Sequence, residues 1–350
     1  MASSNQVAAV LGDNPVLLGP MAGVTEAPFR GICKRMGAGL TYTEMVSAKG
    51  LHFNPDSPVS RKLLTFSADE TPCAVQIFGA DPTMMAAQAR WIVERHRSEV
   101  ALIDINMGCP VAKVVAKGEG SALMRDPDRA AAIVGRVASE CPVPVTVKFR
   151  KGWDDDEVNA VEFAQAMEEA GAAALAVHGR TREQFYRGRA DWGLIARVKA
   201  AVRIPVVGSG DVFSARDVVS MLEQTGVDGV MVARGAQGDP WIFREARSLL
   251  RDGVELPRPT PIERVEMARE HGRALVEFAG ERAVVRMRKH VAWYIAEMPG
   301  ATYARSRVNE CRTYAELDAL LVEYLEYLKR QRDPRSRVAV PVMIRAAEDG

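Results

Sequence analysis

Val100-Ala101-Leu102-Ile103-Asp104-Ile105-Asn106-Met107-Gly108-Cys109-Pro110 begins as an aliphatic run and ends in a glycine turn that presents one thiol. The opening residues lack polar alternation, which reads as a parallel strand buried on both faces. Glycine permits the turn, and proline stiffens the exit from it. Residues 113–125 (KVVAKGEGSALMR) follow at once and read as a mobile basic loop. A thiol held at a strand end under basic residues is a candidate proton donor or nucleophile.

Runs of the same character recur through the first two-thirds of the chain. They are Val16-Leu17-Leu18 and residues 40–43 (LTYT), 74–77 (AVQI), 143–147 (VPVTV), 174–177 (ALAV), 204–207 (IPVV) and 229–232 (GVMV). Helical periodicity separates most of them, at residues 81–96, 126–140, 159–170, 190–202 and 214–224. Asp81-Pro82, Asp126-Pro127 and Ser214 are suitable helix starts. Eight strands alternating with helices is the arithmetic of a (β/α)8 barrel, and a doubly wound open sheet is the alternative. The strand count favours the barrel. So does the lack of a G-x-G-x-x-G between the first strand and its helix.

The pattern changes after residue 255. Leu256-Pro257-Arg258-Pro259-Thr260-Pro261 is a proline-rich linker. Beyond it, residues 262–279, 283–298 and 314–331 carry helical periodicity and no strand signal. The expected organisation is therefore α/β: a (β/α)8 TIM barrel over residues 1–255 with a C-terminal all-α helical bundle over 262–332. Residues 333–350 have no packing pattern and are expected to be partly disordered.

The 350 residues carry a formal net charge of +1, so a polyanion site must come from local clustering. No run approaches the ~20 apolar residues of a membrane span, and residues 1–10 do not resemble a secretory signal. Cytoplasmic residence is expected. The five cysteines include no C-x-x-C pair, so neither a disulfide framework nor a metal site is expected.

Barrel active sites gather at the carboxyl ends of the strands. Glycine turns at Gly208-Ser209-Gly210-Asp211 and Ala233-Arg234-Gly235, after strands seven and eight, suit a phosphate, with Arg234 as a charged partner. Lys148 ends the fifth strand. It reads either as a cation beside a group that becomes anionic, such as a reduced flavin, or as one half of an ion pair with Asp104 or Glu44. His178 ends the sixth strand and is equally a ligand contact or a satisfied core histidine.

Several motifs together resemble the tRNA-dihydrouridine synthases: PMAGVTEAPFR from Pro20, DINMGCP from Asp104 with Lys113-Val114, GSAL from Gly120 and VKFR from Val147. HGRTR from His178 and GAQGDPW from Gly235 complete the likeness, which weakens through Val285-Arg286-Met287-Arg288-Lys289-His290. The resemblance implies FMN in a (β/α)8 barrel that reduces tRNA uridines to 5,6-dihydrouridine with NADPH as reductant. It implies Pro20, Met21 and Ala22 along the isoalloxazine, Gln76 bonded to the ring, Lys148 near N1 and O2, and His178 against the cofactor. It places Ser209, Gly210, Asp211, Ala233 and Arg234 at the phosphate end, and Cys109 as the acid that protonates C5. Many members carry Asn-Gly where this chain has Ser209-Gly210, so a side-chain amide contact is lost there while backbone contacts remain.

The chemistry agrees with that assignment. Hydride addition at C6 leaves an anion over C5 and O4, and a thiol with a reference pKa of about 8.5 stays protonated at neutral pH yet can donate. The base must leave its stack, which costs least in a tRNA loop. RNA contact is expected from Lys113, Arg180 and Arg182 at the mouth and from Arg286, Arg288 and Lys289 in the helical region. The C-terminal arginines Arg330, Arg332, Arg335 and Arg337 read as an ordinary solvated face. The competing readings are an FMN barrel acting on a small free pyrimidine or enone, and a non-catalytic RNA-binding barrel. A monomer is expected.

Overall fold

The computed structural model describes residues 2–332. The tail expected to be partly disordered, residues 333–350, lies outside the described residues. Eight parallel strands form one sheet: β1 (Val16–Leu18), β2 (Val46–Ser47), β3 (Cys73–Phe78), β4 (Val100–Met107), β5 (Val145–Arg150), β6 (Ala174–His178), β7 (Val206–Ser209) and β8 (Gly229–Val232). They pair in chain order from β2 to β8, and β1 lies beside β8.

Residues 39–43 close the remaining seam. Leu18 N–H donates to the Leu40 carbonyl at 2.9 Å, and Ala74 N–H donates to that of Thr41 at 2.8 Å. The sheet is thus the (β/α)8 barrel that the strand count foretold. The second strand, expected at residues 40–43, occupies its place in the wall only through isolated bridges. The cause is local: the Thr43 hydroxyl accepts the Gln76 N–H at 3.1 Å, so a side chain replaces the ladder until Val46 meets Ile77.

The outer helices start where the caps predict. Asp81, Asp126 and Ser214 accept the N–H groups of Met84, Arg129 and Asp217, and Asp191 does the same for Leu194. Each such cap contributes on the order of 1 kcal/mol.

Alternation along each strand sends every second residue into the barrel. The interior changes character from bottom to top. Leu17, Leu40, Ala74, Leu102, Ala174, Ala176, Val207 and Met231 belong to one apolar cluster at the floor. The helix Ala2–Asp13 adds Val7 and Leu11 to that cluster and plugs the barrel, leaving a void of ≈ 10 Å³. This plug was not anticipated, because its short apolar stripe carries no strand or motif signal. Above the floor the same inward parity holds Gln76, Asp104 and Thr146, then Asn106 and Lys148, which are register partners across β4 and β5.

Among the described residues, 236–241 and 256–332 form a second compact unit. Its helices are Pro261–Ala279, Met287–Tyr294, Ala301–Val308 and Tyr314–Arg332. The first opens with a capping box between Thr260 and Glu263. The single helix expected over 283–298 is instead a 3-10 segment, Glu281–Arg286, followed by the α-helix, because Gly280 at φ 77° turns the chain just before it. His271 and His290, each 1 % exposed, pack with ring centroids 4.5 Å apart. No described helix is long and apolar enough to cross a membrane.

Candidate active site

Cys109 sits on a turn tied down from three sides. Asn106 Oδ1 accepts the N–H groups of Gly108 at 3.2 Å and Cys109 at 2.9 Å. Arg150 Nε donates to the Gly108 carbonyl at 2.8 Å. The Cys109 carbonyl accepts from the Ser121 N–H at 3.1 Å and its hydroxyl at 3.0 Å. Gly120, at φ 61°, packs so closely that a Cβ would lie 2.8 Å from that carbonyl oxygen, so glycine is required here on two counts. Residues 113–125, expected as a mobile loop, are thereby built into the wall. They form a helical turn (Ala112–Val115) and a 3-10 segment (Gly120–Arg125). Burial pushes the Cys109 thiol above its ordinary pKa, against the opposing effects of the Val111 N–H, Arg150 and Lys148. The thiol is therefore protonated at neutral pH.

Lys148 stands beside this turn and is half-buried. Desolvation lowers its pKa to about 8, Arg150 adds to the shift, and Asp104 and Cys109 oppose it. Neither ion pair considered for it forms. Glu44 accepts the backbone N–H of Gly23, and Asp104 is occupied by Gln76 and Thr146. His178 is 7 % exposed. Burial holds its pKa well below the ordinary value, reinforced by Arg150, Lys148, Arg180 and Arg234, so the imidazole is neutral.

The ends of β7 and β8 carry Ser209, Gly210, Asp211, Ala233 and Arg234. Gly210 has φ 119°, and a Cβ there would lie 2.7 Å from Ala190 Cβ and 2.9 Å from His178 Cδ2. Asp211, at φ 56°, accepts from Arg180 at 2.7 Å and from the Ala190 N–H at 2.7 Å, and lies 3.5 Å from Arg234. Burial acts to raise its carboxyl pKa, but these hydrogen bonds and cations outweigh it and lower the value. Arg234 stacks on Tyr186 at 4.5 Å and Phe213 at 5.5 Å. Arg180 Nη1 is buried without a hydrogen-bond partner. A half-buried cation without an ion pair, a backbone turn with no room for a side chain, and an unused guanidinium N–H fit a flat, phosphate-bearing anion such as FMN. Pro20 and Met21 are half-buried at the end of β1, and Ala22 is exposed. Gln76 is 1 % exposed and bonded to Asp104 and Asn106.

The residues expected to meet RNA separate into distinct environments. Lys113 is exposed, and Arg182 stacks on Trp153 at 4.8 Å. Arg180 is 2 % exposed, and its Nε and Nη2 donate to Asp211 and to the carbonyls of Arg187 and Gly188, which leaves only Nη1 without a partner. Arg286, Arg288 and Lys289 are half-buried in the second unit.

Two structural groups contain residues that the sequence reading named within motifs but gave no role. Arg150 clamps the Cys109 turn to the loop after β6, donating to the Thr181 and Phe185 carbonyls at 2.8 and 2.9 Å. Its inward parity with Lys148 was the available signal. Arg30 and Glu70 form a buried ion pair, 1 % and 0 % exposed, and Arg30 also donates to the Thr25 and Thr65 carbonyls, which fixes the loop after β1.

The family model described as dihydrouridine synthase matches residues 17–330. The chain is 41 % identical over 325 residues to a probable tRNA-dihydrouridine synthase 1 of Synechocystis, covering 93 % of this chain and 90 % of that protein. It is 43 % identical over 327 residues to tRNA-dihydrouridine synthase B of Pseudomonas aeruginosa, covering 93 % and 96 %. Against the synthase B of Pseudomonas putida it is 46 % identical over 297 residues, covering 85 % and 87 %. With a family-model match that runs through residues of both units, and relatives more than 40 % identical over most of the chain, the chain belongs to the dihydrouridine synthase family.

Proposed function

We propose that this enzyme reduces uridines of tRNA to 5,6-dihydrouridine, with FMN as its cofactor, NADPH as the reductant and Cys109 as the acid. Bound flavin supplies the hydride that C6 of the uracil accepts. The protein's own part is to hold that group, admit one everted base and deliver a proton to C5. Lys148 balances negative charge on the ring, and neutral His178 offers a hydrogen bond without competing as an acid. Gln76 has a second Nε2 hydrogen that it would offer the ring, and Pro20, Met21 and Ala22 would help to hold it. The backbone at Ser209, Gly210 and Asp211, with Ala233 and Arg234, receives the phosphate.

The observation that carries this reading is the Cys109 thiol, held protonated on a turn that hydrogen bonds fix at the same mouth as Lys148. A raised thiol pKa favours the acid form over a nucleophilic thiolate. The exposed Lys113 and the rim cation Arg182 supply contacts to tRNA phosphate, and Arg286, Arg288 and Lys289 of the helical unit supply contacts of their own. The enzyme acts as a monomer.

Purified protein supplied with FMN, NADPH and a tRNA transcript lacking dihydrouridine tests the proposal by nucleoside mass spectrometry. Dihydrouridine in the tRNA is expected, with no turnover of free uracil or orotate. Turnover of the small molecules alone would transfer the site to a free pyrimidine. A colourless protein that takes up no FMN would remove the flavin.

A further inference from the structure

Four side chains link into one polar chain under the Cys109 turn. Thr146 Oγ1 donates to Asp104 Oδ1 at 2.6 Å, and Gln76 Nε2 donates to Asp104 Oδ2 at 2.7 Å. Asn106 Nδ2 donates to Gln76 Oε1 at 2.8 Å, which leaves Asn106 Oδ1 to accept from Gly108 and Cys109. Asp104 is 0 %, Gln76 1 % and Asn106 8 % exposed, so water cannot readily substitute for these partners.

The chain has a direction. A carboxylate accepts and never donates. Gln76 must therefore turn its NH2 group to Asp104 and its oxygen to Asn106. Asn106 must then turn its NH2 group to Gln76, which leaves its oxygen for the turn. Were Gln76 reversed, Asn106 would point hydrogens at two N–H donors and the turn would lose its anchor.

We propose that Asp104 is a positioning residue that acts through Gln76 and Asn106 to hold the Cys109 turn in the conformation that presents the thiol. This rests on the reading of Cys109 as the acid. Two titratable neighbours interact with Asp104 electrostatically: Lys148 from β5 and Tyr42 from the segment between β1 and β3. Burial raises the Asp104 pKa to about 6, against the hydrogen bonds from Gln76 and Thr146 and the charge of Lys148. The folded carboxyl thus keeps its proton to higher pH than the unfolded one, and the ionised form costs stability at neutral pH. Asparagine would relieve that cost while allowing either direction of the chain. Orientation and stability therefore predict opposite results for one substitution.

The test uses the full-length protein and reads amide hydrogen exchange at Gly108 and Cys109, which needs no turnover. Asp104→Asn is expected to lower protection there by about fivefold, the scale of one hydrogen bond. It should also lower kcat for tRNA by a similar factor, leave KM unchanged, and melt no lower than wild type at pH 8. Asp104→Asn combined with Gln76→Glu moves the obligatory acceptor one step along, and should restore the protection. In wild type, protection corrected for intrinsic exchange should fall as pH drops through 6, and in Asp104→Asn it should be flat. Wild-type protection in Asp104→Asn, no recovery in the double variant, or a flat wild-type profile would each overturn the proposal. If Cys109 proves not to be the acid, the exchange results stand while the effect on kcat disappears, which separates the two failures.

Discussion

The floor and the mouth of the barrel are made by the same strands on the same inward parity, yet they are opposite environments. The floor is aliphatic, closed by Val7 and Leu11 of the N-terminal helix, and has almost no free space. One or two layers higher, the interior holds Gln76, Asp104, Asn106, Lys148 and His178. Burial there raises a carboxyl, lowers a lysine and keeps a histidine neutral. The contrast is a division along one strand: the lower residues supply apolar burial, and the upper ones bury polar groups at a cost in stability, as the proposed chemistry requires.

That division can be broken from either end. The largest effect is expected at the mouth. Cys109→Ala should retain FMN and NADPH oxidation while uridine reduction falls by about 10²- to 10⁴-fold, measured as dihydrouridine per tRNA. Wild-type rates would refute the acid role. At the floor, Leu17→Ala should cost about 2–5 kcal/mol in denaturant unfolding, with kcat per folded molecule unchanged. A large loss of kcat would mean that floor and mouth are coupled.

Lys148→Met sharpens the comparison. FMN affinity should fall on the order of tenfold, since one charge-assisted contact is removed. The flavin-free protein should melt higher at pH 7. A lysine held at about 8 in the fold but near 10.5 when unfolded loses stability below that window and recovers it as pH rises through it. A lower melting temperature would instead assign Lys148 a structural role.

The helical unit responds to acid in the opposite sense to Asp104. Burial lowers His271 to about 3, and His290 lies well below its ordinary value. The unfolded chain binds these protons first, so stability is full above pH 6.5 and declines below it. The slope is up to about 1.4 kcal/mol per pH unit for each histidine. Calorimetry of the full chain between pH 8 and 5 should show this, and His271→Leu should flatten the slope. A pH-independent transition would show that both rings tolerate charge.

Lys148, His178 and the turn at Ser209-Gly210 were readable as strand-end candidates because a strand end is recognisable from its own neighbours. Arg30 and Glu70 were not, since forty residues separate two charges that only the loop after β1 brings together. Arg180 shows the converse. Its motif and its sign were plain in the chain, but its burial against Asp211 was not.

Composition, strand periodicity and the DINMGCP thiol turn were enough to determine an eight-stranded barrel and the helical unit that follows it, and to single out Cys109 as the thiol proposed to donate the proton. These follow from local rules: alternation, caps and glycine turns. Tertiary structure alone decided which polar side chains meet, in which direction Asp104, Gln76 and Asn106 pass their hydrogen bonds, and that a short N-terminal helix closes the floor. Those outcomes depend on barrel closure, which sets residues far apart in the chain side by side at fixed register, and no local pattern encodes that register.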